Sequence, residues 1–333
     1  MAAPLTIPGE IPVYEDFSRC VHCGLCLNHC PTYRLWQLEA DSPRGRIRQM
    51  LLVEQGELPV SPGFVDHIDK CLDCRSCETA CPSGVNYGKL VEHARARIEQ
   101  QFRRPWPARL ARDFVYRRLL PYPERIAMAA KFLGFYQRSG LQAAARITGL
   151  LKILGLSERE QLLPAIDPEF FFEQLGKTFP ARGKRRARVA FFAGCIANVT
   201  FTALSEATIR VLTANGCEVV VPDGQFCCGA LAAHAGVRDA ARDLARRNIT
   251  AFASGGFDAL ITNAAGCGST LKEYPHLFTP AEPEFTAASA FAKKTRDVTE
   301  FVAALGLSTP LKPLAARVTL QDSCHLLHGQ RIR

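Results

Sequence analysis

The spacing of hydrophobic residues changes character along the chain, and each change predicts a different kind of element. Between 42 and 54, Ile47, Met50 and Leu51 recur at helical intervals, followed by Glu54. Ser42-Pro43 supplies the start of that helix, Ser as the N-cap and Pro at the first helical position. Residues 88–104 (GKLVEHARARIEQQFRR) predict another helix. Beyond it Pro105 and Pro107, then Pro121 and Pro123, cut the chain into short helices in which aromatic side chains alternate with arginine. From Arg186 the texture becomes short apolar runs (188–193, 217–222, 257–263) separated by helical stretches near 201–214 and 231–253. That alternation predicts an α/β unit with parallel strands. A fourth run, 317–321, resembles a further strand.

Length and composition bound the class. The 333 residues give room for about two domains at ~150 residues each. With 47% hydrophobic and 22% charged residues the chain is of ordinary globular make-up. Lys and Arg exceed Asp and Glu by 41 to 32, a net charge of +9. That surplus permits an acidic partner, nucleic acid or an anionic membrane and chooses none of them. The first ten residues carry no basic and apolar signal pattern. No stretch reaches the ~18 to 20 uninterrupted apolar residues of a membrane span; the nearest, 189–204, is broken by Gly194, Asn198 and threonines. A cytoplasmic chain with reduced thiols is expected, and any membrane contact would be peripheral, on the inner face.

Fourteen cysteines change the picture. Residues 20–31 read CVHCGLCLNHCP and residues 71–82 read CLDCRSCETACP, the same C-x2-C-x2-C-x3-C-P pattern at an offset of 51. Two-residue gaps let three thiolates reach three corners of one iron–sulfur cube, while the three-residue gap sends the fourth to the neighbouring cube. Pro31 and Pro82 then stop the turn. Two [4Fe–4S] clusters are therefore expected, one on Cys20, Cys23, Cys26 and Cys81, the other on Cys71, Cys74, Cys77 and Cys30. Paired zinc sites would space their ligands in two separated pairs instead. Arg44, Arg46 and Arg48 stand either as charge partners of the clusters or as a solvated face.

The fold expected is thus α+β and multidomain: a helical two-cluster ferredoxin domain (10–92), a basic helical connector (93–185) and a cysteine-rich α/β domain with a parallel sheet (186–310). A further unit of the last kind would begin at 316–333 and stop incomplete at Arg333. The connector reads either as a docking surface for a partner or lipid headgroups, or as an amphipathic layer packed on its own neighbours. Nucleic acid is not expected as a partner, since no recognition motif accompanies the charge.

Three of the apolar runs end in loops bearing Cys195, Cys227-Cys228 and Cys267. Parallel strands joined by crossover helices put their carboxyl ends on one edge, so these four thiols are expected to converge. A metal ion, a smaller cluster, a redox disulfide or inert buried thiols all remain open there, with a metal or smaller cluster favoured over a disulfide in a reducing compartment. Cys217 opens its strand and reads as a buried structural thiol, and Cys324 would belong to the incomplete unit. His234 reads as a helix histidine hydrogen-bonded nearby; His325 and His328 are spare donors.

The stretches CVHCGLCLNHCPTY, SPRGRI, CLDCRSCETACPSGV, CCGALAAHAG, NAAGCGSTLKEY and DSCHLLHGQ resemble the iron–sulfur subunit family of glycolate oxidase (glycolate dehydrogenase). The back half resembles the CCG domain shared with heterodisulfide reductase and anaerobic glycerol-3-phosphate dehydrogenase. The resemblance implies an electron-transfer subunit with no substrate site and no catalytic residue of its own. It also implies a FAD-containing subunit that oxidises glycolate to glyoxylate, and a quinone or membrane acceptor. Sibling complexes acting on glycerol 3-phosphate, lactate or a disulfide are the alternative. The pattern departs at Thr270, where heterodisulfide reductase has the last cysteine of a C-x2-C pair.

Overall fold

The computed structural model describes residues 14–308 and 311–333. The amino-terminal segment read for a signal pattern, the start of the expected ferredoxin domain (10–13) and the end of the expected 186–310 domain (309–310) lie outside the described residues.

The front of the chain is helical. Pro43–Glu54 forms the helix its spacing predicts, with the Ser42 hydroxyl accepting from the Gly45 amide at 2.9 Å. It buries Ile47 and Met50 against Phe64 and Ile68 of Pro62–Asp69 and against Leu90, Val91 and Ile98 of Tyr87–Gln101. At ~0.8 kcal/mol per buried methylene, this small apolar core is what holds the two cysteine loops at fixed spacing.

Two helices of the middle segment, Trp106–Asp113 and Pro123–Arg138, each start at a proline-bearing turn, as the proline spacing predicts. Between them Phe114–Leu119 widens into a π-type turn.

The back half contains a five-stranded sheet: β1 (Thr178–Phe179), β2 (Ala187–Phe191), β3 (Cys217–Val220), β4 (Ala259–Thr262) and β5 (Thr295–Asp297). The order is β1-β3-β2-β4-β5, parallel throughout except for the antiparallel edge strand β1. Because successive side chains alternate across a strand, Val189 and Phe191 enter one core layer with Leu212, Val219 and Ile261. Ala190 and Phe192 enter the other, with Leu260, Phe252 and Tyr274. The helical front and parallel-sheet back match the fold class expected from the sequence.

Three local expectations need correction. The 231–253 stretch is two helices, Ala230–His234 and Arg238–Ala253, broken at Gly236, which has φ +80°. The run 317–321 is exposed and forms no strand; apolar alternation there lacks a neighbouring strand to pair with. Strands β1 and β5 add to the three that the apolar runs predict; each is three residues or fewer, too short to show a period.

Candidate iron–sulfur and cysteine-rich sites

The repeat at 20–31 and 71–82 persists in the backbone. His22 and Asp73, each just before the second cysteine, are both left-handed (φ 55° and 50°), as are Gly24 and Arg75 just after it (φ 86° and 59°). Residues in this region next to right-handed ones turn consecutive amides into a concavity suited to an anion. Two such concavities, each bearing four thiols, fit anionic iron–sulfur clusters.

Neighbouring thiols show how the two loops interlock. Burial pushes the Cys20 thiol up, and Cys81 and Cys23 add to the rise. Burial likewise raises Cys26, with Cys20 and Cys23 adding. Cys74 is raised by burial and then by Cys71, Cys324 and Cys30. Thus Cys81 of the second run sits in the field of the first loop, and Cys30 of the first run in the field of the second. Cys77 is raised well above its ordinary value by burial, with Cys71 and Cys74 adding. Thiols packed together this way favour the protonated form until a cation is supplied.

The three arginines of the 43–54 helix divide. Arg48 is exposed. Arg44 pairs with Glu39 and donates to the His22 carbonyl at 3.0 Å, steadying the first loop. Arg46 is 1% exposed; it donates to the His67 carbonyl at 2.7 Å and Thr32 Oγ1 at 3.0 Å and pairs with Asp41 at 3.3 Å. Thr32 Oγ1 lies 3.2 Å from Cys30 Sγ, so Arg46 reaches the second set of thiols through one hydroxyl.

In the cysteine-rich unit, Cys195 follows β2, Cys227 and Cys228 follow β3, and Cys267 follows β4, all at the carboxyl edge of the sheet. Cys195 Sγ is 3.3 Å from Cys227 Sγ, and Cys228 Sγ is 3.3 Å from Cys267 Sγ. Cys227 therefore meets the loop after β2, while Cys228 meets the first turn of the helix Ala265–Lys272 that follows β4, so Cys267 sits in a helix and not in the loop its apolar run predicts. A hydrogen bond to Cys227 and burial drive the Cys195 thiol well above its ordinary value. Gly194 (φ +73°) lets the chain turn past Cys267 Sγ, which a side chain there would approach at 3.8 Å.

Sequence reasoning missed the residues that fix this edge. Asn248, fully buried, accepts from the Phe226 amide at 2.9 Å and donates to the Cys227 carbonyl at 2.9 Å. Tyr274 donates to the Cys228 carbonyl at 3.0 Å. Gln225 accepts from the Ala193 amide at 2.8 Å and donates to the Pro222 carbonyl at 2.9 Å. An Asn in an otherwise apolar helix stripe was the available signal, since a buried amide needs partners. Thr270 spends its hydroxyl on the Gly266 carbonyl at 3.2 Å, within its own helix. Cys217 is fully buried at the start of β3.

The second cysteine run abuts the cysteine-rich unit. His234 Nδ1 lies 3.0 Å from Asp73 Oδ2 and 2.8 Å from Glu92 Oε1. Arg75 pairs with Glu273 and with Glu92. Burial alone would lower the His234 pKa, but Asp73 and Glu92 hold it up at about 10. Burial would raise Glu92, and His234 and Arg75 instead hold it low. Donor atoms of Asp73, Glu92 and His234 lie within 4.8 Å of one another, yet Arg75 and the imidazolium already balance the carboxylates. The trio is an ion-pair junction.

The segment around Cys324 lies in the same seam. His325 Nε2 donates to the Asp73 carbonyl at 2.9 Å, His328 Nδ1 is 2.8 Å from Thr79 Oγ1, and Gln330 donates to the Ala265 carbonyl at 3.0 Å. The two spare histidines are therefore engaged, and exposed Cys324 stands in the field of Cys74.

Family models match three consecutive stretches: a 4Fe-4S dicluster domain at 16–85, the linker region of the glycolate oxidase iron-sulfur subunit at 107–163, and a cysteine-rich (CCG) domain at 189–272. The chain is 39% identical over 322 residues to a probable glycolate oxidase iron-sulfur subunit of Bacillus subtilis, covering 93% of this chain and 71% of that one. The chain belongs to the glycolate oxidase iron–sulfur subunit family. The Escherichia coli glycolate oxidase iron-sulfur subunit is 32% identical over 94% of this chain and 72% of its own length. A fumarate reductase (CoM/CoB) subunit of Methanothermobacter marburgensis is 38% identical over 96% of this chain and 54% of its own. No solved structure matches. Membership makes this an iron–sulfur electron-transfer chain of an oxidoreductase family. Among the described residues, no helix is long and apolar enough to cross a membrane.

Proposed function

We propose that this chain is the electron-transfer subunit of a glycolate-oxidising complex, taking electrons from a flavin subunit that converts glycolate to glyoxylate and passing them to a quinone or other acceptor. Cys20, Cys23, Cys26 and Cys81 would hold one [4Fe–4S] cluster and Cys71, Cys74, Cys77 and Cys30 the other. Cys195, Cys227, Cys228 and Cys267 would hold a further metal or cluster, and Cys324 would belong to a separate, incomplete second site. When bound, such clusters supply one-electron carriers whose potentials respond to charge, hydrogen bonds and exposure. This chain's own part is to fix their spacing and tune that environment. Arg46 and Arg44 bring positive charge near the thiolates, and amides at His22 and Asp73 turn inward. The junction of Asp73, Arg75, Glu92, His234 and Glu273 locks the second cluster loop against the cysteine-rich unit.

The observation that carries the reading is the interlock of the two runs: Cys30 of the first lines one small cavity with Cys71, Cys74 and Cys77 of the second, and Cys81 of the second adds to the field at Cys20 of the first. The test is reconstitution: anaerobically purified chain, brown with about eight irons in the front half, should restore acceptor reduction when added to the flavin subunit with glycolate. Alone it should not oxidise glycolate, because it carries no G-x-G-x-x-G fingerprint for a flavin or nicotinamide phosphate. Glycolate oxidation by the chain alone, at the rate of the complex, overturns the role.

A further inference from the structure

The 107–163 segment holds ten Lys and Arg against four Asp and Glu, so six of the chain's nine surplus positive charges fall in this short stretch. Two of the four carboxylates are already engaged, Asp113 by Arg117 and Arg118 and Glu160 by Arg146. The ammonium groups of Lys131 and Lys152 have no carboxylate partner among the described residues.

The same segment turns large apolar side chains outward. In Pro123–Arg138, Ile126, Ala130 and Gly134 form the buried stripe. Met128, Phe132 and Phe135 follow the i, i+4, i+7 spacing on the opposite side, Phe132 with 71% of its surface exposed. At 100° per residue, Arg125 flanks this outer stripe on one side and Lys131 on the other. Two succeeding helices add Ile147 at 86% and Ile153 at 82% exposure. These elements are held in place: Gln137 donates to the Pro164 carbonyl at 2.8 Å, Arg138 to the Ile166 carbonyl at 3.1 Å, and Glu160 accepts from Gln142 and Arg146.

We infer that the 123–153 helices form a docking face for the surface of an anionic phospholipid bilayer. Apolar side chains this exposed on ordered helices normally mark an interaction surface. An apolar stripe bordered by cations on both sides is the pattern of a helix lying in the headgroup plane: the stripe enters the acyl boundary and the cations meet phosphates. A protein partner covering so basic a patch would have to supply matching acid, whereas a bilayer supplies negative charge and apolar depth together. The inference deepens the proposed delivery of electrons to a lipid-soluble acceptor. Its test needs no electron transfer, so failure here and failure of that role are read separately.

The full chain is mixed with vesicles of phosphatidylglycerol or of phosphatidylcholine and floated on a density gradient. It should float with phosphatidylglycerol at low salt, be released as salt rises, and stay down with phosphatidylcholine. The double variants Phe132→Ser with Phe135→Ser, and Lys131→Glu with Lys152→Glu, should each weaken flotation by about tenfold or more. Their iron content should be unchanged, since these side chains face solvent and their loss leaves the core intact. No flotation with phosphatidylglycerol, equal flotation on both lipids, or full flotation of the serine variant would each overturn the inference. So would a serine variant that floats normally but no longer co-purifies with the flavin subunit, which would assign the face to that protein.

Discussion

His234 Nδ1 stands 3.0 Å from Asp73 Oδ2, so a histidine six residues beyond Cys228 grips the loop that carries Cys71 and Cys74. The contact joins the two cysteine regions through a buried charge pair. Its strength therefore depends on the imidazolium staying protonated.

Thermal stability should fall at alkaline pH through this contact. The His234 pKa of about 10 in the folded chain lies above the ~6.5 of a free imidazole. Its stabilisation is then fully present below about pH 6.5 and is lost as pH rises through about 10. The wild-type melting temperature should drop between pH 7 and 10 more steeply than that of His234→Gln. Parallel curves for the two proteins would contradict this.

Gly236→Ala should loosen the seam. Gly236 has φ +80°, and a Cβ there would collide with the Arg95 carbonyl, a backbone group of Tyr87–Gln101 that cannot yield cheaply. Left-handed backbone adds about 1 kcal/mol or more against any side chain. Limited proteolysis should cut between the ferredoxin and cysteine-rich regions sooner than in wild type. An unchanged digestion pattern argues against close packing there.

Arg46→Ala should cost about 3–5 kcal/mol, because it strands the fully buried Asp41 carboxylate beside only His67 and a distant Lys70. Arg48→Ala, a change on the solvated side of the same helix, is the control and should lie within about 0.5 kcal/mol of wild type. Equal melting temperatures for the two variants would count against the buried pairing.

Cys30→Ser should lower the iron content of anaerobically purified protein from about eight toward about four. The loss is expected at the far loop, seen as a missing spectroscopic signal from the Cys71, Cys74 and Cys77 set. If iron stays near eight, Cys30 is not a ligand of that set.

What could be read in the sequence were features with a local cause. Ser42-Pro43 starts its helix because cap and proline act within one turn, and Cys195, Cys227, Cys228 and Cys267 follow strands because an apolar run followed by glycine ends there. What escaped were features made by distant partners. Nothing near Asn248 says that its amide will hold the Cys227 carbonyl, and nothing in Asp73 or Arg75 announces Glu92, His234 and Glu273. The 317–321 run failed for the converse reason: its apolar residues have the right alternation but no strand beside them to complete the ladder.

The proposed exchange of Cys30 and Cys81 between the two loops would bear on how the holoprotein is made. On that assignment neither set of four thiols could close until both runs and the 39 residues between them, 32–70, had folded. Iron delivered while the chain is still emerging from the ribosome would find three thiols and an open corner. Loading should therefore be concerted and late, and a partly metallated intermediate should be scarce in the cell.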